Sequence, residues 1–172
     1  ADRGLARLSV AKGDGEPLTL LAPAPPVIRL GTVAVTPPPG AFLQATTDAQ
    51  AALQQAVAGI VGGASRVTDL FAGCGTLGLP LLKGLSKLTA AESDTAALAA
   101  MKAAVDAAGL GARLDCIEAD LMRAPLTADL FGDVEAVIID PPRAGASAQC
   151  EILATTAVPA IAMVSCLSLI HI

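Results

Sequence analysis

The sequence predicts an α/β fold, a doubly wound and mostly parallel sheet preceded by a small β-rich segment. Three observations predict it. From Thr46 onward, short and mostly apolar runs alternate with stretches of good helix formers, the pattern of parallel strands covered on both faces. A glycine-rich turn follows the first of those runs. Acidic residues close three of the runs, which puts them at one edge of the predicted sheet.

The elements follow in chain order. "ARLSVAKGDGEPLTLLAP" holds two alternating stretches around Gly13-Asp14-Gly15, a β-hairpin pattern. "VIRLGTVAV" adds further strand, and "TPPPG" (Thr36 to Gly40) is a rigid connector. Residues 1–39 are expected to be a piece of an upstream or central domain, and residues 40–166 the α/β domain. "TTDAQAALQQAVAGIVGG" predicts a helix with a Thr or Asp cap and a Gly-Gly stop. "RVTDLF" predicts a strand, followed by the glycine turn and a helix near Leu77–Lys83. "KLTAAE" is the second strand of the sheet. Asp94 caps a helix over "TAALAAMKAAVDAAG" that stops at Gly109. "ARLDCIEAD" and "VEAVIID" are the third and fourth strands. A helix near Ser147–Thr156 leads to the fifth, "PAIAMVSC".

Composition narrows the function. Over half the residues are hydrophobic (53%) and only 2% are aromatic, so aliphatic side chains fill the core of one domain. The net charge is −5. A domain that grips nucleic acid alone shows a basic face, so any RNA partner needs help from elsewhere. Cys74, Cys116, Cys150 and Cys166 form no C-x-x-C pair and the one histidine is His171, which argues against structural zinc and a disulfide scaffold. No apolar run has membrane-spanning length and no signal pattern opens the chain, so the cytoplasm is the expected compartment.

The glycine turn "DLFAGCGTLGLP" spaces Gly73, Gly75 and Gly78 as G-x-G-x-x-G, which lets backbone approach a ligand. An ordinary tight turn has the same spacing. Glu92 ends the second strand, where an acidic residue accepts from ribose hydroxyls in nucleotide-type sites. Asp120 ends the third, and serves equally as a helix cap. Asp140 ends the fourth, followed by Pro141 and Pro142, which lock the backbone beside a ligand. Asp69, inside the first strand, would repel a pyrophosphate yet accept from a cationic group. Arg143 could orient a phosphate or a carboxylate, or pair with Asp140 or Glu151.

"PPGAFLQAT", "DLFAGCGTLGLPLL", "AAESDTAAL", "IIDPPRAGA" and "MVSC" occur in an order that resembles the bacterial RNA uracil-C5 methyltransferases, makers of 5-methyluridine in tRNA and ribosomal RNA. The resemblance runs from about Gly40 through Cys166. It implies a Rossmann-like class I methyltransferase sheet, incomplete at its C-terminal edge, and S-adenosyl-L-methionine as cofactor. It implies cofactor contacts from Gln44, Phe71, Gly73, Gly75, Thr76, Glu92, Asp120 and Asp140, with Asp140 also catalytic beside the target base. It implies Cys166 as the nucleophile that adds to C6 of uracil and activates C5. Cys74, Cys116 and Cys150 are expected to be inert.

The chain departs from the family after Cys166. The family continues with Asn-Pro and, farther on, a glutamate base; here residues 167–172 read LSLIHI and are expected to be non-native. The family's RNA-binding domain and any iron–sulfur cysteine cluster are expected to lie outside this chain, so RNA is expected to be gripped mainly by parts missing from it, and the chain alone is expected to be incomplete for turnover. Two other readings stay open on the residues: a nicotinamide-dependent oxidoreductase using the glycine loop, and a non-catalytic methyltransferase-like binding module.

Overall fold

Short alternating strands and turn-forming glycines make two hairpins at the N-terminus of the computed structural model, which describes residues 4–13, 15 and 17–165. Strand β1 (Leu8–Val10) pairs antiparallel with β2 (Leu18–Leu21), and both are largely exposed. The Arg7 guanidinium ties this hairpin to the proline connector, donating to the carbonyls of Pro37 at 2.7 Å and Pro38 at 3.1 Å. The second hairpin, β3 (Ile28–Leu30) and β4 (Val33–Val35), behaves differently. Its Leu30, Val33 and Val35 are fully buried against the α/β core, although they precede the boundary expected at residue 40.

Helix α1 (Thr47–Val61) begins where the Thr46 hydroxyl accepts from the Ala49 amide at 3.1 Å, and ends at Gly62. The sheet then builds from β5 (Arg66–Leu70), β6 (Lys87–Glu92), β7 (Leu114–Glu118), β8 (Ala136–Ile139) and β9 (Ala160–Met163). Helix α2 (Thr95–Ala107) joins β6 to β7. The Asp94 carboxylate caps it, accepting from the amides of Ala96 and Ala97. Helix α3 (Ser147–Leu153) joins β8 to β9. All pairings in this sheet are parallel, in the order β7-β6-β5-β8-β9. The chain turns back between β5 and β8, so the carboxyl ends of those strands form the crevice where open α/β sheets bind ligands.

Period-two alternation divides the core. Ala136 and Ile138 face one cluster with Val57 and Val61 of α1, Met101 and Val105 of α2, and the β3–β4 hairpin. Val137 and Ile139 face the other, with Leu121, Phe131 and Leu153. Both faces of the sheet are covered, as the doubly wound prediction requires.

Two details differ from the sequence reading. No α-helix forms over Leu77–Lys83. That stretch is a run of hydrogen-bonded turns closing in a 3-10 turn at Leu82–Gly84. Pro80 sits in its middle, with no N–H to donate, and a proline inside a helix costs about 3 kcal/mol. Strand β7 also stops at Glu118, leaving Asp120 two residues beyond it.

Candidate active site

Three strand ends and the glycine turn enclose one cavity of about 630 Å³ at the carboxyl edge of the sheet, over the β5/β8 crevice. The turn exists because of Asp69. Near the centre of the sheet, in register with Ala90 and Ile138, it is only 2% exposed. Its Oδ2 accepts from the Gly78 amide at 3.0 Å and so folds the turn back over β5. A side chain at Gly78 would bring a Cβ to 2.6 Å from that oxygen. Gly75 has φ +85°, and a Cβ there would stand 2.5 Å from Leu79. Phe71, at the mouth of β5, carries φ +60°, a conformation that costs a bulky residue about 1–3 kcal/mol and that clusters at functional sites. From the other side, the Gln54 amide of α1 donates to the Thr76 carbonyl at 2.8 Å.

Glu92, the last residue of β6, is a hub. Its Oε2 accepts from the Gly73 amide at 2.9 Å. Its Oε1 accepts from the amides of Ser93 and Asp94 and from the Ser93 hydroxyl, at 2.7 to 3.0 Å. One carboxylate thereby locks the glycine turn to the start of α2. Asp120 lines the cavity, and its Oδ1 accepts from the Met122 amide; the residues after it form hydrogen-bonded turns, so it caps a turn and not the helix considered for it. The Asp140 amide bonds the Leu70 carbonyl, so this carboxylate projects just past β5, beside Asp69.

The electrostatics are one-sided. Burial lifts the Asp69 carboxyl to about 7; the Gly78 N–H opposes the rise, while Asp140 and Glu92 add to it. Desolvation also raises Asp140. Cys74 lies buried in the cavity wall, its thiol pushed up to about 11 by burial and by Asp94 and Glu92, which disfavours the thiolate. Arg143 is the cation among the described residues of the wall. It forms no ion pair with any of them, so neither pairing considered for it occurs.

Of the residues singled out from the sequence, Gln44, Phe71, Gly73, Thr76, Glu92, Asp120 and Asp140 line this one cavity. Gly75 does not; it is buried behind the turn, where it packs on Leu79. Cys166, His171 and the 167–172 tail lie outside the described residues. Phe42, Asp94 and Met122 also line the cavity and were missed. Asp94 carried a signal, since a cap for the helix after β6 must stand at the carboxyl edge. Phe42 and Met122, 74% and 45% exposed, carried only their nearness to Gln44 and Asp120.

Residues 44–165 match the family model described as conserved hypothetical protein 95. The chain belongs to that family. Among its relatives, an uncharacterized RNA methyltransferase of Mesorhizobium japonicum is 43% identical over 165 residues, 95% of this chain and 38% of the relative. A 23S rRNA (uracil(1939)-C(5))-methyltransferase of Chromohalobacter salexigens is 37% identical over 131 residues, 74% of this chain and 26% of that protein. The family member described here thus spans 38% of the length of the first of these relatives. Among solved structures, the Pyrococcus abyssi tRNA (uracil-54, C5)-methyltransferase in complex with S-adenosyl-L-homocysteine superposes with a TM-score of 0.74, covering 94% of this chain and 40% of that one at 23% identity. That likeness is one of fold: the chain has the Rossmann-like methyltransferase sheet.

Proposed function

We propose that this chain is the donor-binding core of an RNA uracil-C5 methyltransferase, taking S-adenosyl-L-methionine as methyl donor and a uridine of tRNA or ribosomal RNA, in the cytoplasm, as acceptor. The observation that carries this reading is the acid-walled cavity over the β5/β8 crevice. Its volume suits a cofactor-sized ligand. Its carboxylates suit ribose hydroxyls and a positive charge, and disfavour a pyrophosphate. A dinucleotide would rest its phosphates on a helix N-terminus, and the glycine turn opens no α-helix. This weighs against the nicotinamide reading. The relatives named as RNA methyltransferases support the choice of reaction and acceptor.

The residues divide the work. Glu92 has lone-pair capacity left on Oε2 for the ribose. Asp120 and Leu121 would flank the adenine, and Gln44, Phe71 and Thr76, which line the same cavity, would close around the donor. When bound, the donor supplies an electrophilic methyl group on a sulfonium. Asp140, followed by the stiff Pro141-Pro142 pair, would contact the donor or the target base. The Cys166 thiolate would add to C6 of the uracil, which makes C5 nucleophilic, and would leave by elimination as a general base takes the C5 proton of the methylated ring.

Mass spectrometry of RNA treated with the full-length protein that carries this chain tests the reading. Methyl gain at uracil C5, abolished by Cys166→Ala, is the expected result. Methylation that survives Cys166→Ala removes the covalent step. Titration with S-adenosylhomocysteine and with NADH tests the cofactor; tight NADH binding with none for the sulfur ligand overturns the choice.

A further inference from the structure

Asp69 is the most deeply buried carboxyl of the cavity wall, at 2% exposure, on the face of β5 that carries Val67 into the core. Its Oδ2 is committed to the Gly78 amide, and among the described residues its Oδ1 has no hydrogen-bond partner. The charged and titratable groups around it are almost all acidic. Glu92 stands at the end of β6 and Asp140 after β8. Asp94 at the start of α2 and Asp120 after β7 line the same wall, as does Cys74 on the turn, while Arg143 is on the exposed rim. Among the described residues, no fixed cation meets Asp69. A buried carboxyl so placed holds a proton in the neutral range, as its rise to about 7 reflects.

We propose that Asp69 is a proton-coupled acceptor for the positive charge of the ligand: when a cationic ligand enters the cavity, the carboxyl gives its proton to solvent and meets the ligand as a carboxylate. The proposal rests on the donor-binding reading and deepens it. The O–H bond of Asp69 breaks, its electron pair stays on the carboxylate, and the proton passes to buffer. The arrangement selects by charge, because a ligand of the same shape without the ammonium group that S-adenosyl-L-methionine and S-adenosylhomocysteine share would leave the proton in place and gain no ion pair. Asp69 acts here by contact with the ligand and, through Gly78, as a positioning residue for the turn.

Isothermal titration of the chain with S-adenosyl-L-methionine and S-adenosylhomocysteine at pH 7, in phosphate and in Tris, reads the coupling directly. The binding enthalpy is expected to differ between the buffers in the sense of proton release, by about half a proton per ligand. The dissociation constant is expected to tighten between pH 6 and 7, by at most about tenfold. Asp69→Asn, which keeps an oxygen for the Gly78 amide, is expected to abolish the buffer dependence. Should that variant not fold, the ¹³C shift of the Asp69 carboxyl in the unaltered chain gives the same answer: a midpoint near 7 that moves down by at least about one pH unit with ligand. A buffer-independent enthalpy, retained release in Asp69→Asn, or a midpoint that ligand does not move overturns the proposal while leaving donor binding intact. Absence of binding by either ligand overturns the donor-binding reading and this proposal together.

Discussion

The Asp69 carboxylate and the Gly78 amide meet at 3.0 Å inside the protein, and no room remains between them for a methyl group. A Cβ at residue 78 would also crowd both Leu88 methyls, at 3.1 and 3.2 Å. Gly78→Ala is therefore expected to push the turn off β5 and to destabilise the chain by about 1–3 kcal/mol, the usual cost of overpacking. Chemical denaturation measures the loss. Weakened binding of S-adenosylhomocysteine in the same variant follows from the displaced turn. A variant as stable as the parent would show that the contact is easily relaxed.

The same carboxyl gives stability a pH dependence of known sign. In the unfolded chain Asp69 loses its proton near 3.8, whereas in the folded protein it keeps it until about 7. Between those values the folded state binds more protons, so this group makes stability fall as pH rises, with the full cost present above 7 and none below 3.8. At about 1.4 kcal/mol per pH unit the ceiling is roughly 4 kcal/mol. Asp140, also raised by desolvation, acts in the same direction. Asp69→Asn is expected to gain stability over the parent at pH 8 and not at pH 4, as read by urea unfolding at the two pH values. Equal gains at both would sink the assignment.

Glu92 serves the glycine turn through Gly73 and helix α2 through Ser93 and Asp94. A glutamine has one acceptor oxygen where these donors require two. Glu92→Gln is expected to leave the fold intact, because the donors to Oε1 are exposed and water can replace the carboxylate, at a cost of about 1 kcal/mol. The Gly73 amide and the ribose side of the cavity lose their anchor. Binding of S-adenosylhomocysteine is therefore expected to weaken by at least about tenfold, equivalent to 1.4 kcal/mol, in a calorimetric titration. Unchanged affinity would detach Glu92 from the ligand.

Much of this arrangement is readable from residues that enforce local geometry. Asp94 can only be a cap before "TAALAAM", and the mostly apolar strand at 136–139 can only be covered on both sides. Period and capping therefore give the sheet and α2, and the acidic residues at strand ends then share an edge by topology alone. What stayed hidden depended on contacts between distant segments. The helix expected over Leu77–Lys83 yielded to Pro80 and to the pull of Asp69 on Gly78, a tie across nine residues that no local pattern announces. The β3–β4 hairpin looked like part of a separate piece because hairpins read the same packed or unpacked. Only the burial of Leu30, Val33 and Val35 against the α/β core tells this hairpin from β1–β2. Phe42 reaches the cavity through the loop after Gly40, whose path the proline run does not specify.

Gln149 shows how a polar side chain with no chemistry of its own supports the site. It is fully buried on α3, and its amide grips the backbone of Leu126 twice, accepting from the N–H at 2.8 Å and donating to the carbonyl at 3.2 Å. That pairing fixes the segment that leaves the cavity wall after Asp120, Leu121 and Met122. Gln149→Leu keeps the volume but leaves a buried N–H and a buried C=O without partners, each costing about 1–3 kcal/mol. The expected loss is therefore about 2–6 kcal/mol in denaturant unfolding. Faster amide exchange should appear around residues 121–126, while the Gly73 and Gly78 amides, tied to Glu92 and Asp69 on the other side of the cavity, keep their protection. Uniform loss of protection across both regions would mean that the wall unfolds as one unit with the core and that Gln149 has no local part in shaping it.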